Sequence, residues 1–269
     1  MNWRGQGVLV IGAGFLGSAL AVALRSAGAA VLTIDHTALA DLSADAADAR
    51  ALSAGIGRVV PKVAFCCLST RGGDATAYHR CYVQSLQALL SVAPAVCPVF
   101  CSSVSLYPDT CGEAVDECTP LQHPNARQEV LLQAEKLALM AGGCVARLAP
   151  LYGHGRCELL RRHLAGEPRL PGAPGRWLNY LHVDDAVRSL LDIAASGNGG
   201  IYNLCSESFT CTEAYALMEQ LTGKATAAES AAATVRGSAN RLITSCRFRM
   251  PNPHRFRDFV LAELQHPTL

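Results

Sequence analysis

Short runs of apolar residues alternate along the first half of the chain with segments whose apolar positions recur at helical spacing. The apolar runs predict strands over residues 8–11, 30–34, 62–68, 98–101 and 144–148. The segments between them predict helices over residues 18–24, 74–92 and 125–140. Strands that alternate with helices form a parallel sheet with helices on both faces. The predicted fold class is therefore α/β, with a doubly wound parallel sheet.

This alternation loosens after about residue 151, which indicates a second, smaller region. A long irregular loop is predicted there by Pro168, Pro171, Gly172, Pro174 and Gly175. Residues 210–221 have the pattern of an amphipathic helix, and the alanine-rich residues 225–233 carry no clear pattern. We therefore predict a sheet domain over residues 1–150 and a smaller region over residues 151–269, partly interleaved with the sheet.

Composition and charge limit the classes of partner. The chain has 269 residues, half of them hydrophobic, and a formal net charge of +1. It can bury a sizeable core, and it has no charge excess that would attract nucleic acid. Arg4 and the apolar residues 8–24 have the order of a secretory signal, but the glycine motif described below accounts for them better. No other segment approaches the ~20 apolar residues that span a bilayer, so we expect a cytoplasmic protein without a membrane partner.

The chain contains twelve cysteines. Many lie inside apolar runs, as Cys66, Cys101 and Cys144 do, and none forms a C-x-x-C pair. Paired spacing of that kind is the usual mark of a zinc site. We therefore expect most of these cysteines to be small core residues and predict no metal site.

A glycine motif follows the first predicted strand and precedes the first predicted helix. Its residues are Gly12, Ala13, Gly14, Phe15, Leu16 and Gly17. In a strand–turn–helix context the first glycine permits the tight turn, the second lets the backbone approach a pyrophosphate, and the third lets helix and strand pack closely. The phosphates of a dinucleotide then lie at the N-terminus of the helix. This motif predicts a Rossmann-type dinucleotide-binding domain over residues 1–150.

An acidic residue at the end of the second strand indicates which dinucleotide is bound. Asp35 lies eighteen residues after Gly17. A carboxylate there accepts hydrogen bonds from the ribose hydroxyls and repels a 2′-phosphate. NAD is therefore favoured over NADP, although the neighbouring His36 could partly neutralise an anion.

Several further segments resemble a known family in the correct order. They are residues 100–107 (FCSSVSLY), 115–117 (VDE), 119–120 (TP), 147–148 (RL), 152–153 (YG), 180–185 (YLHVDD) and 201–204 (IYNL). Together with the glycine motif and Asp35, they make the chain similar to the extended short-chain dehydrogenase/reductases, specifically the NAD-dependent epimerase/dehydratase group. The resemblance implies an NAD(P)-dependent oxidoreductase, epimerase or dehydratase acting on a small polar or nucleotide-sugar-like substrate. It makes residues 151–269 the substrate region, and it implies a homodimer formed through residues 75–92 and 125–140.

The resemblance also implies which residues surround the cofactor. They are Gly12, Gly14, Phe15, Leu16, Gly17, Asp35, His36, Asp45, Leu68, Ser69, Thr70 and Pro150. In the same family, the segment that matches His182, Asp184 and Asp185 is structural. An Asp at a helix start caps free N–H groups, so we favour that interpretation over a metal site or a His–carboxylate pair.

The family's catalytic Y-x-x-x-K pair is missing. Arg127 stands at the Tyr position and Leu131 at the Lys position, and the chain has no Tyr four residues before a Lys anywhere. The family's catalytic serine aligns with Ser103, and Tyr107 is the nearest phenol that could replace the acid. The guanidinium of Arg127 stays protonated, so it can polarise a carbonyl or hold an anion but cannot act as a base. The predicted catalytic residues are Ser103, Tyr107 and Arg127.

Three functions remain open at the level of the sequence. The favoured one is a redox enzyme that uses NAD, Ser103 and a replacement acid. The second is a catalytically silent dinucleotide-binding protein that acts as a sensor or scaffold. The third is a lyase or isomerase in which the cofactor is only a structural element.

Overall fold

The computed structural model describes residues 2–57, 59–70, 72–169, 175–226 and 240–269. The strands are β1 (Gly7–Ile11), β2 (Ala30–Asp35), β3 (Leu42–Ser43), β4 (Pro61–Cys66), β5 (Cys97–Ser103), β6 (Ala114–Val115), β7 (Cys144–Leu148), β8 (Leu151–Tyr152), β9 (Trp177–His182), β10 (Gly200–Leu204), β11 (Glu207–Thr210) and β12 (Leu242–Ile243). The helices are α1 (Phe15–Ser26), α2 (Ala49–Ile56), α3 (Ala75–Tyr78), α4 (Ser85–Val92), α5 (Ala126–Met140), α6 (Glu158–Leu164), α7 (Val183–Ser196), α8 (Cys211–Thr222) and α9 (Phe256–Gln265).

A seven-stranded parallel sheet has the strand order β10-β7-β5-β4-β1-β2-β3. This confirms the predicted α/β class with a doubly wound sheet. At the carboxyl edge, Ile11 of β1 pairs with Ile34 of β2 and with Cys66 of β4. The residues that follow these three strands therefore emerge side by side. In a doubly wound sheet this edge is where ligands bind.

The predicted bounds of three elements need correction. Strand β5 spans Cys97–Ser103, which is longer than the predicted residues 98–101. Strand β4 ends at Cys66, so Leu68 lies in the following loop. Helix α1 begins at Phe15, earlier than predicted, because Gly14 adopts the extended conformation of an N-cap and the helix starts directly after it.

The helix predicted over residues 74–92 consists of three consecutive segments. Asp74 caps its start by accepting a hydrogen bond from the N–H of Ala77 (2.9 Å). A π-helical segment, His79–Gln84, then separates α3 from α4. Helix α5 begins at a capping box in which Asn125 and Gln128 each accept the other's backbone N–H.

By internal contacts the chain divides into two compact units. The first comprises Met1–Leu106, His123–Arg147 and Ala186–Tyr202. Its core includes fully buried residues of the central strands, such as Leu9, Phe65 and Phe100. Apolar residues buried on adjacent parallel strands explain the continuous apolar runs of the sequence.

The second unit comprises Tyr107–Gln122, Leu148–Asp185 and Asn203–Leu269. It contains a three-stranded sheet, β11-β9-β8, and a two-stranded parallel sheet, β12-β6. Its core combines aliphatic residues with buried aromatic ones, and Tyr152 packs edge-on against Phe259 at a centroid distance of 5.1 Å. The predicted amphipathic helix is α8, and Thr210 caps it.

Two predicted segments extend beyond the described residues. Residues 170–174 of the predicted irregular loop and residues 227–233 of the alanine-rich segment lie outside the described residues. Within the described ranges, no helix combines the length and the apolar character that crossing a bilayer requires.

Candidate active and cofactor site

The glycine turn between β1 and α1 has the geometry that its sequence predicts. Gly12 has a positive φ of +92°, a conformation that favours glycine. A Cβ at Gly17 would lie 1.9 Å from the carbonyl oxygen of Gly12, whereas a Cβ at Gly14 would meet nothing within 4 Å. The turn is therefore tightly packed at Gly12 and Gly17 and open at Gly14. An open backbone at the middle glycine is what the approach of a pyrophosphate requires.

Helix α1 offers its N-terminus at the same place. Its N-cap residue is Gly14, which has no side chain to cap the helix, and its first turn carries no acidic residue. The twelve residues of α1 give it a dipole whose positive end lies at Phe15. Leu16 and Gly17 are buried against the sheet. Backbone N–H groups at such a terminus favour an anionic ligand.

Asp35 connects the end of β2 to the glycine turn. One carboxylate oxygen accepts a hydrogen bond from the N–H of Ala13 (2.7 Å), and the other accepts one from the N–H of Thr37 (3.1 Å). The imidazole of His36 lies 2.9 Å from the second oxygen and is mostly exposed. The carboxylate is thus fixed beside the turn, where it can serve as an acceptor for ribose hydroxyls.

Asp45 is held on the same unit by a different set of contacts. Its carboxylate accepts the N–H of Ala47 (2.9 Å) and pairs with the guanidinium of Arg80. The N–H of Ala47, and then Arg80, hold the pKa of Asp45 below its ordinary value. This carboxylate is half-exposed and ionised at neutral pH, as an acceptor for an adenine amino group would be.

The loop after β4 contains three further predicted cofactor residues, Leu68, Ser69 and Thr70. Ser69 is exposed, while Leu68 and Thr70 are half-buried. Thr70 hydrogen-bonds to the hydroxyl of Tyr82, and burial raises the pKa of that phenol to about 12. Pro150, the last predicted cofactor residue, belongs to the second unit, where its carbonyl accepts the N–H of Leu181 (3.0 Å).

Ser102 and Ser103 end strand β5 and lie in different environments, as alternation along a strand requires. Ser102 is buried and donates to a carboxylate oxygen of Glu135 (2.6 Å). Glu135 in turn accepts two hydrogen bonds from Arg147, at 3.0 and 2.7 Å. Ser103 is half-buried, and its Oγ accepts the N–H of Ser105 (3.1 Å). The buried serine therefore supports the fold, and of these two residues Ser103 is the one that a ligand can reach.

Tyr107 is buried, with 1% of its surface exposed. Its hydroxyl donates to the side-chain oxygen of Asn203 (2.9 Å), and the amide nitrogen of Asn203 donates to the carbonyl of Thr244 (2.8 Å). All three residues belong to the second unit. A phenol in this setting can donate to a substrate only after exchanging its bond to Asn203.

Arg127 packs on an aromatic residue that the sequence analysis did not select. Its guanidinium carbon lies 5.7 Å from the ring centroid of Tyr78, in a cation–π arrangement. Tyr78 packs edge-on against Tyr82, with the centroids 5.4 Å apart. Leu131, at the family's Lys position, is buried. The sequence did contain a signal for this stack of side chains. Tyr78 and Tyr82 lie four residues apart on a predicted helix, and residues at that spacing share a face.

The segment that begins α7 forms a cluster around a buried carboxylate. Asp185 is fully buried and accepts hydrogen bonds from Ser206 (2.5 Å) and from the ring Nδ1 of His254 (2.7 Å). His182 stacks on His254 with the centroids 4.0 Å apart, and its Nδ1 lies 3.2 Å from the backbone nitrogen of Asp184. A carboxylate with this many donors fixes the position of the segments around it.

Comparison with known proteins gives a family and a fold. Residues 8–205 match the sequence model of a family described as the NAD dependent epimerase/dehydratase family. A search of curated protein sequences found none that matches the chain. Among solved structures, the chain is similar to MoeE5 in complex with UDP-glucose and NAD, with 22% identity, a TM-score of 0.80, and coverage of 96% of this chain and 97% of that one.

Two further solved structures have similar coverage. The UDP-glucose 4-epimerase of Thermus thermophilus, in complex with NAD, is 20% identical with a TM-score of 0.78 over 97% of this chain and 98% of that one. The UDP-glucuronic acid 4-epimerase of Bacillus cereus, in complex with NAD, is 18% identical with a TM-score of 0.77 over the same shares of both chains. At these identities the structural matches establish the fold.

Proposed function

The chain belongs to the NAD dependent epimerase/dehydratase family, as the sequence resemblance predicts, and on that premise we propose that it is an NAD-dependent enzyme of the epimerase/dehydratase type. The observation that carries this proposal is the glycine turn. It is open at Gly14 and bordered by the carboxylate of Asp35, which is bound to the N–H of Ala13. Few structures other than a dinucleotide site require this combination.

The residues present fit NAD. The N-terminus of α1 would hold the pyrophosphate and Asp35 the adenine ribose, while Asp45 would accept the adenine amino group. Leu68, Ser69 and Thr70 would border the cofactor along the carboxyl edge of the sheet, and the other predicted contacts are Phe15, Leu16, His36 and Pro150. When bound, NAD accepts a hydride from a substrate carbon or returns one to it.

Hydride transfer at a carbon that bears oxygen requires a group that handles the oxygen's proton. We propose that Ser103 hydrogen-bonds to the reacting oxygen and that Arg127, held by the ring of Tyr78, stabilises negative charge on it or on a substrate phosphate. Tyr107 is proposed as the proton donor, released from Asn203 when substrate binds. A phenol in this role would shuttle a proton at its hydroxyl oxygen, while Arg127 would keep its charge throughout.

The proposed substrate class is a nucleotide sugar or a related small polar molecule. Four of the solved structures that resemble this chain are named as 4-epimerases of UDP-glucose, UDP-glucuronic acid or UDP-Glc/GlcNAc, and MoeE5 was solved both with UDP-glucose and with UDP-glucuronic acid. Their NAD-bound complexes support the same cofactor here.

The test is an NAD titration followed by incubation with UDP-glucose and UDP-glucuronic acid, with products separated by chromatography. We expect NAD to bind with a lower Kd than NADP and one of the nucleotide sugars to be converted. Gly14→Val should abolish NAD binding, because its side chain would occupy the open space. Gly57→Val is the matched control, since a Cβ at Gly57 would also meet nothing within 4 Å and Gly57 lies outside the turn.

The alternative function is a catalytically silent NAD-binding sensor or scaffold. The observation that favours it is the buried Leu131 at the position of the family's Lys. Tight NAD binding without conversion of either nucleotide sugar would support this alternative. Absence of NAD binding by the wild-type protein would contradict both functions.

A further inference from the structure

Two exposed cysteines meet at one end of the small sheet of the second unit. Strands β6 and β12 are parallel, with Val115 paired to Ile243. Cys118 lies three residues after Val115, and Cys246 lies three residues after Ile243. Equal offsets from a parallel pair bring the two residues to the same place, and their Sγ atoms are 3.8 Å apart.

We propose that Asp116, Cys118 and Cys246 form a zinc-binding site. Each residue offers one ligand atom, and these atoms all lie within 4.8 Å of one another. Two thiolates and one carboxylate form a ligand set that suits Zn²⁺ better than the hard cations Mg²⁺ or Ca²⁺. The cysteines are exposed, so a water molecule can complete a tetrahedral coordination sphere.

The distance between the sulfur atoms favours a metal over a disulfide. Two Zn–S bonds of ~2.3 Å at a tetrahedral angle place the sulfurs about 3.8 Å apart. Cys118 and Cys246 already have this separation. A disulfide would require the same atoms to close to about 2.05 Å and would need an oxidant, whereas zinc binding needs neither.

Glu117 holds one of the proposed zinc ligands through hydrogen bonds. One of its carboxylate oxygens accepts the N–H of Cys246 (2.9 Å) and so holds the backbone of that ligand. The Sγ–H of Cys246 also donates to this oxygen (3.3 Å), a bond that the thiol gives up when it loses its proton to bind Zn²⁺. Its other oxygen accepts the N–H of Asn203 (2.6 Å) and the hydroxyl of Ser245. Groups that hold the ligands from an outer shell fix their orientation and raise the metal affinity. Binding of Zn²⁺ would release the thiol protons to solvent as the two Zn–S bonds form.

A zinc ion at this site would link the segment after β6 to the segment after β12. Cys118 and Cys246 are separated by 128 positions. A search of the sequence for C-x-x-C pairs therefore could not find this site. This link would fix the position of Glu117 and therefore of Asn203, whose side-chain oxygen accepts a hydrogen bond from the hydroxyl of Tyr107. The inference does not depend on the proposed function, because zinc binding can be measured without substrate or NAD.

The experiment uses the full chain, stripped with a chelator and titrated with Co²⁺. We expect one equivalent of Co²⁺ per chain, a thiolate-to-cobalt charge-transfer band, and loss of that band when Zn²⁺ is added. Cys118→Ser and Cys246→Ser should each abolish the band. Cys111→Ser is the matched control, because Cys111 is also an exposed cysteine of the second unit, and it should retain the band.

A second measurement uses only the wild-type chain and so does not depend on variants that fold. Zn²⁺ should slow alkylation of Cys118 and Cys246 by iodoacetamide, read by peptide mass spectrometry, without changing that of Cys111. No charge-transfer band with the wild-type protein would overturn the proposal, as would a band that survives Cys246→Ser. Equal alkylation with and without Zn²⁺, or a Cys118–Cys246 disulfide that persists in the presence of Zn²⁺, would also overturn it.

Discussion

The carboxylate of Asp35 accepts the backbone N–H of Ala13 at 2.7 Å. This bond joins the end of β2 to the glycine turn that follows β1, so the acid cannot move away from the turn without leaving that N–H unpaired. The other carboxylate oxygen binds Thr37. The position of the Asp35 carboxylate is therefore set before any ligand arrives, which lowers the ordering cost of binding.

Asp35→Asn should weaken NAD binding and narrow the preference for NAD over NADP. The amide keeps an oxygen for Ala13 but loses the negative charge, and hydrogen bonds to a charged group are worth about 1.5–3 kcal/mol. We expect the Kd for NAD to rise by roughly tenfold to a hundredfold, as measured by calorimetric titration with each dinucleotide. Asp48→Asn is the control, because Asp48 caps α2 and Asn is an equally good cap. An unchanged ratio of the two Kd values would remove Asp35 from the ribose site.

Alanine at Gly17 should lower the stability of the protein, whereas alanine at Gly14 should lower its affinity for NAD. Gly17→Ala places a Cβ 1.9 Å from the oxygen of Gly12, so we expect a loss of about 1–3 kcal/mol in the free energy of unfolding from overpacking. Gly14→Ala places a Cβ in open space and should leave stability unchanged, while it weakens NAD binding by about tenfold or more. Urea unfolding and NAD titration of both variants check this separation. Equal effects of the two substitutions on stability would contradict it.

The sequence predicted the sheet and the cofactor turn because their signals are local. Apolar runs and glycine spacing identify β1 and α1 directly, and the carboxyl edge of a parallel sheet brings Asp35 to the turn for any chain with this order of elements. Strand β7 occupies Cys144–Leu148, the same residues as predicted. The prediction failed at ends such as that of β4, where the apolar run continues into the loop as Cys67 and Leu68.

The remaining parts of the site depend on contacts between distant residues, which periodicity does not reveal. The stacking of Arg127 on Tyr78 joins two helices, and the contact of Cys118 with Cys246 joins the segments that follow β6 and β12. The bond from Tyr107 to Asn203 is equally distant in sequence. Each of these contacts depends on how the chain folds back on itself, which cannot be predicted from a single sequence.

Tyr107→Phe tests the proposed proton donor. We expect turnover to fall far more than NAD affinity, because the phenol is proposed to act on substrate and not on the cofactor. Loss of the hydroxyl also leaves the oxygen of Asn203 without this donor, which costs about 1–3 kcal/mol in the free energy of unfolding. Tyr202→Phe is the control, since the hydroxyl of Tyr202 donates to a backbone carbonyl, that of Asn198. Unchanged turnover in Tyr107→Phe would limit Tyr107 to a structural role.

The buried pair of Glu135 and Arg147 should respond unequally to single and double substitution. Arg147→Met leaves the charge of Glu135 buried, and breaking such a pair costs about 3–5 kcal/mol. The double substitution Glu135→Leu with Arg147→Met removes both charges and should cost less than Arg147→Met alone. Chemical denaturation of the single and double variants gives the comparison. A double variant less stable than Arg147→Met would contradict this prediction.

Protonation of His163 should destabilise the protein below neutral pH. The residue is buried, and burial lowers the pKa of its imidazole from the ordinary value. Its Nε2 lies 2.8 Å from the hydroxyl of Thr222, which already donates to the carbonyl of Met218, so the neutral ring carries its hydrogen on Nε2. Its Nδ1 then accepts from the hydroxyl of Thr226 (3.0 Å).

Because the folded-state pKa of His163 lies below that of the unfolded chain, about 6.5, the unfolded state binds the proton more readily. The contribution of His163 is therefore complete above that pKa and is lost as the pH falls below it. We expect the free energy of unfolding, measured in urea at about pH 7.5, 6.5 and 5.5 (one unit above that pKa, at it and one unit below it), to decrease toward acid in the wild type and to decrease less in His163→Gln. His266→Gln, which changes an exposed imidazole, should follow the wild type. A slope in His163→Gln equal to that of the wild type would show that another group titrates.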